Sequence, residues 1–283
     1  MLVRAYAKIN LGLRVVRKRA DEFHDIETVF HRINLFDEIE LTPHTKGISL
    51  RSSNTQLPRD SSNLCVQAAL LFQKETNTHK GVDILLQKNI PVGAGLGGGS
   101  SDAAAVLFAL SELWNTPVPF TTLRELALQL GSDVPYFLLD GTAYATGRGE
   151  MLEYFPFEIP YWIATVFPNE QIFTKWAYHN VTPDDSRKKT LKEILRAGIH
   201  HCEYLREYLR NDFEQPVFAA YPNVRNVVNR FLDAGAQYVS LSGSGSSLFG
   251  FFENENEALE FQEEIEQQLH YSVFITEPNF SAM

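Results

Sequence analysis

Pro91-Val92-Gly93-Ala94-Gly95-Leu96-Gly97-Gly98-Gly99-Ser100-Ser101-Asp102-Ala103-Ala104-Ala105 runs five glycines and two serines directly into an alanine-rich pattern. Ala103, Val106, Leu107, Leu110 and Trp114 keep helical spacing beyond it, so the glycines open a helix instead of forming a slack loop. Glycine permits the left-handed turns that aim successive N–H groups at one point, and a helix start adds a positive dipole end. Together they form an anion cradle suited to a nucleotide phosphate chain. A P-loop would need Lys after its last glycine, and none is present. Gly93-x-Gly95-x-x-Gly98 matches the dinucleotide fingerprint in form. Positions 113 to 123, however, hold no acid for a ribose hydroxyl about 20 residues on.

Composition narrows the partners. The chain has 283 residues, 44% of them apolar, enough for two compact lobes. A formal net charge of −10 repels polyanions, which argues against nucleic acid. Cys65 and Cys202 lie far apart in helix-like stretches and suit a reducing compartment. No run approaches the length of a membrane span and the N-terminus lacks an apolar signal core, so a cytoplasmic protein without membrane partners is expected, as a monomer or weak homodimer.

Working outward, residues 2 to 16 alternate as a strand that places Lys8 and Asn10 on one face, a pattern a solvated strand edge would also show. Residues 17 to 26 are a charged loop ending in Phe23-His24; taken alone, Phe23 belongs in a core and His24 on a surface. Residues 28–35 and 37–41 are expected as two strands around a short turn, with another strand within 47–52. Asn63 is placed to cap a helix, and Lys88 precedes the glycines at a strand end. Thr122-Leu123-Arg124-Glu125 has the form of a capping box, its helix stopped by Gly131. Asp133 then stands where a turn former is common. A strand is expected at 162–167, a docked helix using Phe173, Trp176 and Ala177, and a mobile polar connection at 181–190. Helices follow at 202–210, 222–234 and 257–269, and a closing strand at 271–276. Leu241-Ser242-Gly243-Ser244-Gly245-Ser246-Ser247 is a glycine-serine run of the kind that usually makes a turn.

Three of these segments resemble the motifs of the GHMP kinase superfamily, in family order and over nearly the whole chain. Ala7-Lys8-Ile9-Asn10-Leu11 resembles the first motif. Pro91, Gly95 and Leu96 match the second, with Gly98 and Gly99 where many relatives carry serines. The run around Gly243 and Gly245 resembles the third. The triple glycine and Asp21-Glu22-Phe23-His24 resemble the branch that phosphorylates the 2-hydroxyl of 4-diphosphocytidyl-2-C-methyl-D-erythritol in the non-mevalonate isoprenoid pathway, although Glu22 replaces the usual Gly.

The resemblance implies an α+β, two-lobed fold with an N-terminal ribosomal S5 domain 2-like lobe over 1–152 and a C-terminal ferredoxin-like lobe over 153–283. It implies ATP as phosphate donor with Mg²⁺, and no dedicated metal ligands. Lys8 and Asp133 are implied as catalytic. Pro91, Val92, Gly93, Ala94, Gly95, Leu96, Gly97, Gly98, Gly99, Ser100 and Ser101 are implied to bind ATP, with Asn63 and Lys88 near its adenosine. Asn10, Phe23, His24, Tyr178, Gly243 and Gly245 are implied to bind the acceptor, Phe23 and Tyr178 on the two faces of cytosine and His24 at its edge. A homoserine or mevalonate kinase would keep the cradle and change the acceptor pocket. A catalytically dead nucleotide-binding regulator would be expected to lose Lys8 or Asp133, and both are present.

Overall fold

The computed structural model describes residues 1–282. Its first elements are β1 (Leu2–Lys18), β2 (His24–His44), β3 (Ile48–Ser52), α1 (Leu64–Thr76), β4 (Gly81–Gln87), α2 (Gly98–Leu113) and α3 (Phe120–Leu130). A 3-10 turn (Val134–Leu138), β5 (Thr142–Thr146), β6 (Met151–Phe155), β7 (Trp162–Phe167), α4 (Thr174–His179), α5 (Leu191–Gly198) and α6 (Cys202–Tyr208) follow. The chain closes with α7 (Glu214–Ala220), α8 (Pro222–Asp233), β8 (Tyr238–Leu241), β9 (Leu248–Phe252), α9 (Glu255–Leu269) and β10 (Ser272–Thr276). Among the described residues no helix is long and apolar enough to cross a membrane.

Contacts divide the chain into two compact units. The first comprises residues 1–7, 35–92 and 97–140, the second residues 8–34, 93–96 and everything from Gly141 onward. Each unit draws on several separate stretches of the chain.

In the first unit the distal half of β2 pairs antiparallel with β4 (Glu38↔Gln87), and β3 lies parallel to β4 (Ile48↔Val82). Helices α1, α2 and α3 pack on one another. The ring of Phe72 meets Trp114 at 5.8 Å, and the indole N–H donates to Gly81 O at 3.2 Å, so the large polar ring is satisfied where it is buried. In the second unit the proximal half of β2 pairs with β5 (Thr28↔Ala145), and β5 with β6 (Thr142↔Phe155). A separate four-stranded antiparallel sheet has the order β10-β7-β9-β8. Numbering those strands in chain order gives 4-1-3-2, the ferredoxin-like arrangement, with α8 and α9 packed on the sheet. Phe231, Phe252, Phe261 and Ile265 fill its core.

Four expectations need correcting. Residues 24–44 are one continuous strand without a turn at residue 36. Ile33, Leu35, Asp37, Ile39 and Leu41 are all buried on one face, so the alternation never breaks. Helix α3 begins at Phe120, and Leu123 N already donates to Pro119 O at 3.1 Å; Thr122 is therefore inside the helix and caps nothing. Phe173 is 66% exposed as the N-cap of α4, leaving Ala177 as the buried member of that helix. The segment 181–190 is tied down, for Asp184 N donates to Val15 O at 2.9 Å and Arg187 pairs with Asp184 and Asp212.

A real capping box starts α5, a helix the sequence reading did not anticipate. Thr190 Oγ1 accepts from Glu193 N at 3.1 Å, and Thr190 N donates to Glu193 Oε2 at 2.7 Å. Leu191 N is met by Glu27 Oε1 at 2.6 Å, and Glu27 is itself held by Arg14 at 3.1 Å. Replacing the threonine of a capping box costs about 0.5–2 kcal/mol, so Thr190→Ala should lower the urea midpoint accordingly. Thr122→Ala should leave it unchanged or slightly raised, since alanine is the better helix-interior residue. Equal losses in the two variants would contradict this assignment.

Candidate active site

In the glycine loop Gly93, Gly95 and Gly97 take φ of +69°, +79° and +71°, conformations a β-carbon disfavours. Gly97 is the N-cap of α2, with no side chain bonded to the first N–H groups. Backbone N–H groups at such a helix start have no partner within the helix. The glycines nevertheless serve different ends. A Cβ on Gly95 would lie 2.1 Å from Ser242 O, and one on Gly98 would lie 2.8 Å from Ile90 and 2.9 Å from the Lys88 ammonium. A Cβ on Gly99 would make only an ordinary 3.6 Å contact with Leu64.

The second unit brings three separated segments together at Gly95. Lys8 Nζ donates to Gly95 O at 2.9 Å and to Asn10 Oδ1 at 2.6 Å. Ser242 Oγ donates to the same Gly95 O at 3.0 Å, and Asn10 N donates to Ser242 Oγ at 3.3 Å. Lys8 N also donates to Leu96 O at 3.0 Å, and Ser247 N to Ala94 O at 3.1 Å. Lys8 and Asn10 are only 3% and 2% exposed, so β1 presents them inward and not at a solvated edge. Asn10 Nδ2 donates to Thr28 Oγ1 at 2.9 Å, which fixes the amide. Gly243, at φ +57°, brings its backbone against this group; a Cβ there would stand 3.3 Å from Asn10 Oδ1. Gly245, at φ +86°, packs on Leu241 and Ile172.

In the same unit the loop Arg19–Phe23 is closed by Arg19 N donating to Phe23 O at 2.8 Å and Phe23 N donating to Asp21 Oδ1 at 3.2 Å. Glu22 has φ +68°, so the left-handed turn that glycine would favour is kept despite its β-carbon. Arg19 pairs with Asp21 and Asp25, and hydrogen bonds from the arginines hold both carboxyls below their usual range. Phe23 is 53% exposed, not in a core. The His24 ring stacks on Tyr178 at 4.8 Å and 19°, and Tyr178 meets Phe213 edge-on at 4.9 Å. Burial, aided by the charge of Lys18, pushes the His24 pKa down and favours the neutral ring. Thus Phe23, His24 and Tyr178 belong to one unit, with His24 and Tyr178 in direct contact.

In the first unit Asp133 begins the 3-10 turn after α3, its backbone oxygen accepting from Tyr136 N at 3.2 Å. Asn63 caps α1: its Oδ1 accepts from Cys65 N at 2.9 Å and its Nδ2 donates to Pro58 O at 3.0 Å. Both ends of that amide are therefore structural. The Lys88 ammonium donates to Asp37 and, at 2.7 Å, to Asp102, so it is committed to two buried carboxylates beneath the start of α2. Asp37 also accepts from Asn89 N at 2.6 Å and Ile90 N at 2.8 Å, securing the chain just before the glycines.

The sequence reading missed the Asp37–Lys88–Asp102 cluster. Its signal is an acid at the centre of the apolar stripe Ile33, Leu35, Asp37, Ile39, Leu41, a position where only a partnered carboxylate survives burial. Burial pushes the Asp102 carboxyl up to about 8, with Asp37 adding to the rise against the pull of Lys88. Its Oδ1 has no hydrogen-bond partner. Burial opposes the charge of Lys88, but the two carboxylates outweigh it and raise its pKa.

Because the folded pKa of Asp102 lies above the unfolded value, its stabilising protonation is fully present below about 4 and is lost as pH rises towards about 8. Urea unfolding between pH 5 and pH 8 should therefore show a decline in wild type that Asp102→Asn lacks. Parallel pH profiles would remove the proton from Asp102.

A left-handed glycine loop opening a helix, a buried lysine from the first strand and a ferredoxin-order sheet define a GHMP kinase. Family models agree: the GHMP kinases N terminal domain matches residues 63–141 and the GHMP kinases C terminal domain residues 190–270. The chain belongs to the GHMP kinase family and is an enzyme of that class. It is similar to the 4-diphosphocytidyl-2-C-methyl-D-erythritol kinase of Pelodictyon phaeoclathratiforme, 48% identical over 92% of this chain and 91% of that one. The protein of the same name from Chlorobium phaeobacteroides strain BS1 is 46% identical over 99% of this chain and 98% of its own. A crystal structure of 4-(cytidine 5'-diphospho)-2C-methyl-D-erythritol kinase has a TM-score of 0.83 at 34% identity, covering 99% of this chain and 100% of that one. The homoserine kinase of Cytophaga hutchinsonii shares the fold, with a TM-score of 0.71 at 19% identity over 98% of this chain and 95% of that one.

Proposed function

We propose that the chain transfers the γ-phosphate of ATP to the 2-hydroxyl of 4-diphosphocytidyl-2-C-methyl-D-erythritol, a step of non-mevalonate isoprenoid synthesis. The observation that carries the acceptor assignment is the aromatic set: a left-handed Glu22 presenting a half-exposed Phe23, beside His24 stacked on Tyr178. A nucleobase uses such faces, and a neutral histidine can exchange hydrogen bonds with a base edge. Homoserine and mevalonate offer no ring to either.

In this reading the N–H groups of the loop from Pro91 to Ser101 cradle the phosphates, and Lys8 supplies positive charge near the group in transit. Phosphoryl transfer needs mainly positioning and charge neutralisation. The acceptor oxygen forms the new O–P bond as the bond between the γ-phosphorus and the β–γ bridging oxygen breaks, ADP leaving. Asp133 accepts or orients the hydroxyl proton. Among the described residues no group of three or more His, Cys, Asp or Glu could hold a metal ion. Mg²⁺ bound mainly to phosphate oxygens and water needs no such cage; the hydroxyl of Ser100 or Ser101 would be its protein ligand, and the ion would offset phosphate charge. We further assign a cytoplasmic location and lobes over 1–152 and 153–283.

A coupled assay of ADP release with the cytidylyl acceptor, homoserine and mevalonate side by side tests the function, with turnover expected on the first alone. Asp133→Asn should lower kcat by about 10² to 10⁴ with ATP affinity nearly unchanged. Retention of more than about a third of kcat, set against that loss, would remove Asp133 from the chemistry.

A further inference from the structure

Phe23 stands on an exposed loop, where a phenylalanine would ordinarily sample several rotamers or fold back onto the surface. Its backbone is fixed by the loop, but its ring is not part of a core. Among the described residues the ring's partner is Arg148, whose guanidinium carbon lies 4.9 Å from the ring centroid. An arginine over an aromatic face is attracted by the ring quadrupole and can stack flat on it.

Arg148 is itself placed with care. It sits in the hairpin between β5 and β6, where Gly149 N donates to Thr146 O at 3.0 Å and Gly147 takes φ +68°. Gly147 and Gly149, both at positive φ, shape the four-residue loop between the paired Thr146 and Met151. Glu150 Oε2 accepts from Arg148 N at 2.6 Å, and Glu150 Oε1 lies 3.9 Å from Arg148 Nε. The side chain is 29% exposed, so it is not a free solvent arm. Gly147 O accepts from Ile26 N at 2.7 Å, tying the hairpin to the strand that begins at His24. Backbone bond and ring contact thus join the same two segments.

We propose that Arg148 is a positioning residue for acceptor specificity: it covers one face of Phe23 and holds the ring with its other face available to stack on a nucleobase. The inference rests on the cytidine pocket proposed above and assigns the residue that pre-organises it. A side chain that must be ordered on binding costs about two- to tenfold in affinity; one already held avoids that loss. Arg148 also draws π-density towards itself, which leaves the free face less negative and better matched to a carbonyl-bearing base.

A double-mutant cycle on the full chain tests this, with the acceptor KM, kcat, the KM for ATP and thermal unfolding measured for each variant. Arg148→Met should raise the acceptor KM by about two- to fivefold, with kcat, ATP parameters and unfolding temperature nearly unchanged. In a Phe23→Ala background the same substitution should have almost no effect. Arg148→Lys, which retains the cation but loses the planar guanidinium, should fall between wild type and Arg148→Met. Equal effects of Arg148→Met in both backgrounds would mean that its charge acts independently of the ring and would overturn the proposal, as would a lysine variant no better than methionine. An acceptor KM indifferent to Arg148→Met but raised by Phe23→Ala would reject Arg148 and leave the pocket standing. Indifference to Phe23→Ala would reject both.

Discussion

Two hydrogen bonds converge on the carbonyl of Gly95, one from the buried ammonium of Lys8 and one from the hydroxyl of Ser242. Much of the second unit's functional architecture follows from that point. A buried cation is tolerated only where oxygens surround it, and within this unit Gly95 and Asn10 supply them. The same carbonyl can be reached by Ser242 only because position 95 has no Cβ. One atom therefore links the first strand, the glycine loop and the loop between β8 and β9.

The first unit holds an anchor of a different physical character. There Lys88 and two buried carboxylates, with backbone N–H groups at 89 and 90 satisfied by Asp37, anchor the chain where it enters the glycines. Removing the Lys88 ammonium from such a cluster leaves buried carboxyl groups uncompensated, which is costly. Gly98 is small because this ammonium passes beside it. The close approach of Ser242 at Gly95 and the buried ammonium beside Gly98 thus constrain neighbouring glycines for separate reasons.

Much of this was legible in the sequence because short-range rules generate it. Positive φ at alternate glycines, the N-cap role of Asn63 and the shared face of Lys8 and Asn10 follow from local stereochemistry. What escaped depends on distant partners. Lys88 looks like any lysine at a strand end until Asp37, far away in sequence, is placed beside it. From sequence Asp37 is placed at the start of a second strand because an acid seldom sits in the middle of an apolar stripe. Thr122 and Thr190 both begin a capping pattern, yet only Thr190 caps, since Pro119 starts α3 before Thr122 is reached. Phe173 has the spacing of a core residue and is exposed, as periodicity alone cannot tell a helix's first residue from the one preceding it. Arg148 carries no sequence signal, because its partner Phe23 comes from another segment.

The central claim is that the hydrogen bonds meeting at Gly95 set the geometry of the nucleotide cradle and do more than stabilise the fold. Calorimetric titration of Ser242→Ala with a non-hydrolysable ATP analogue, alongside urea unfolding, tests it most directly. Removing the hydroxyl takes one of the two donors from Gly95 O and the acceptor from buried Asn10 N, and a buried donor left unsatisfied costs about 1–3 kcal/mol. The account predicts a Kd raised by about tenfold in a protein that still unfolds cooperatively. A Kd equal to that of wild type, with stability reduced by the same amount, would show that these bonds only hold the chain together and would contradict the account.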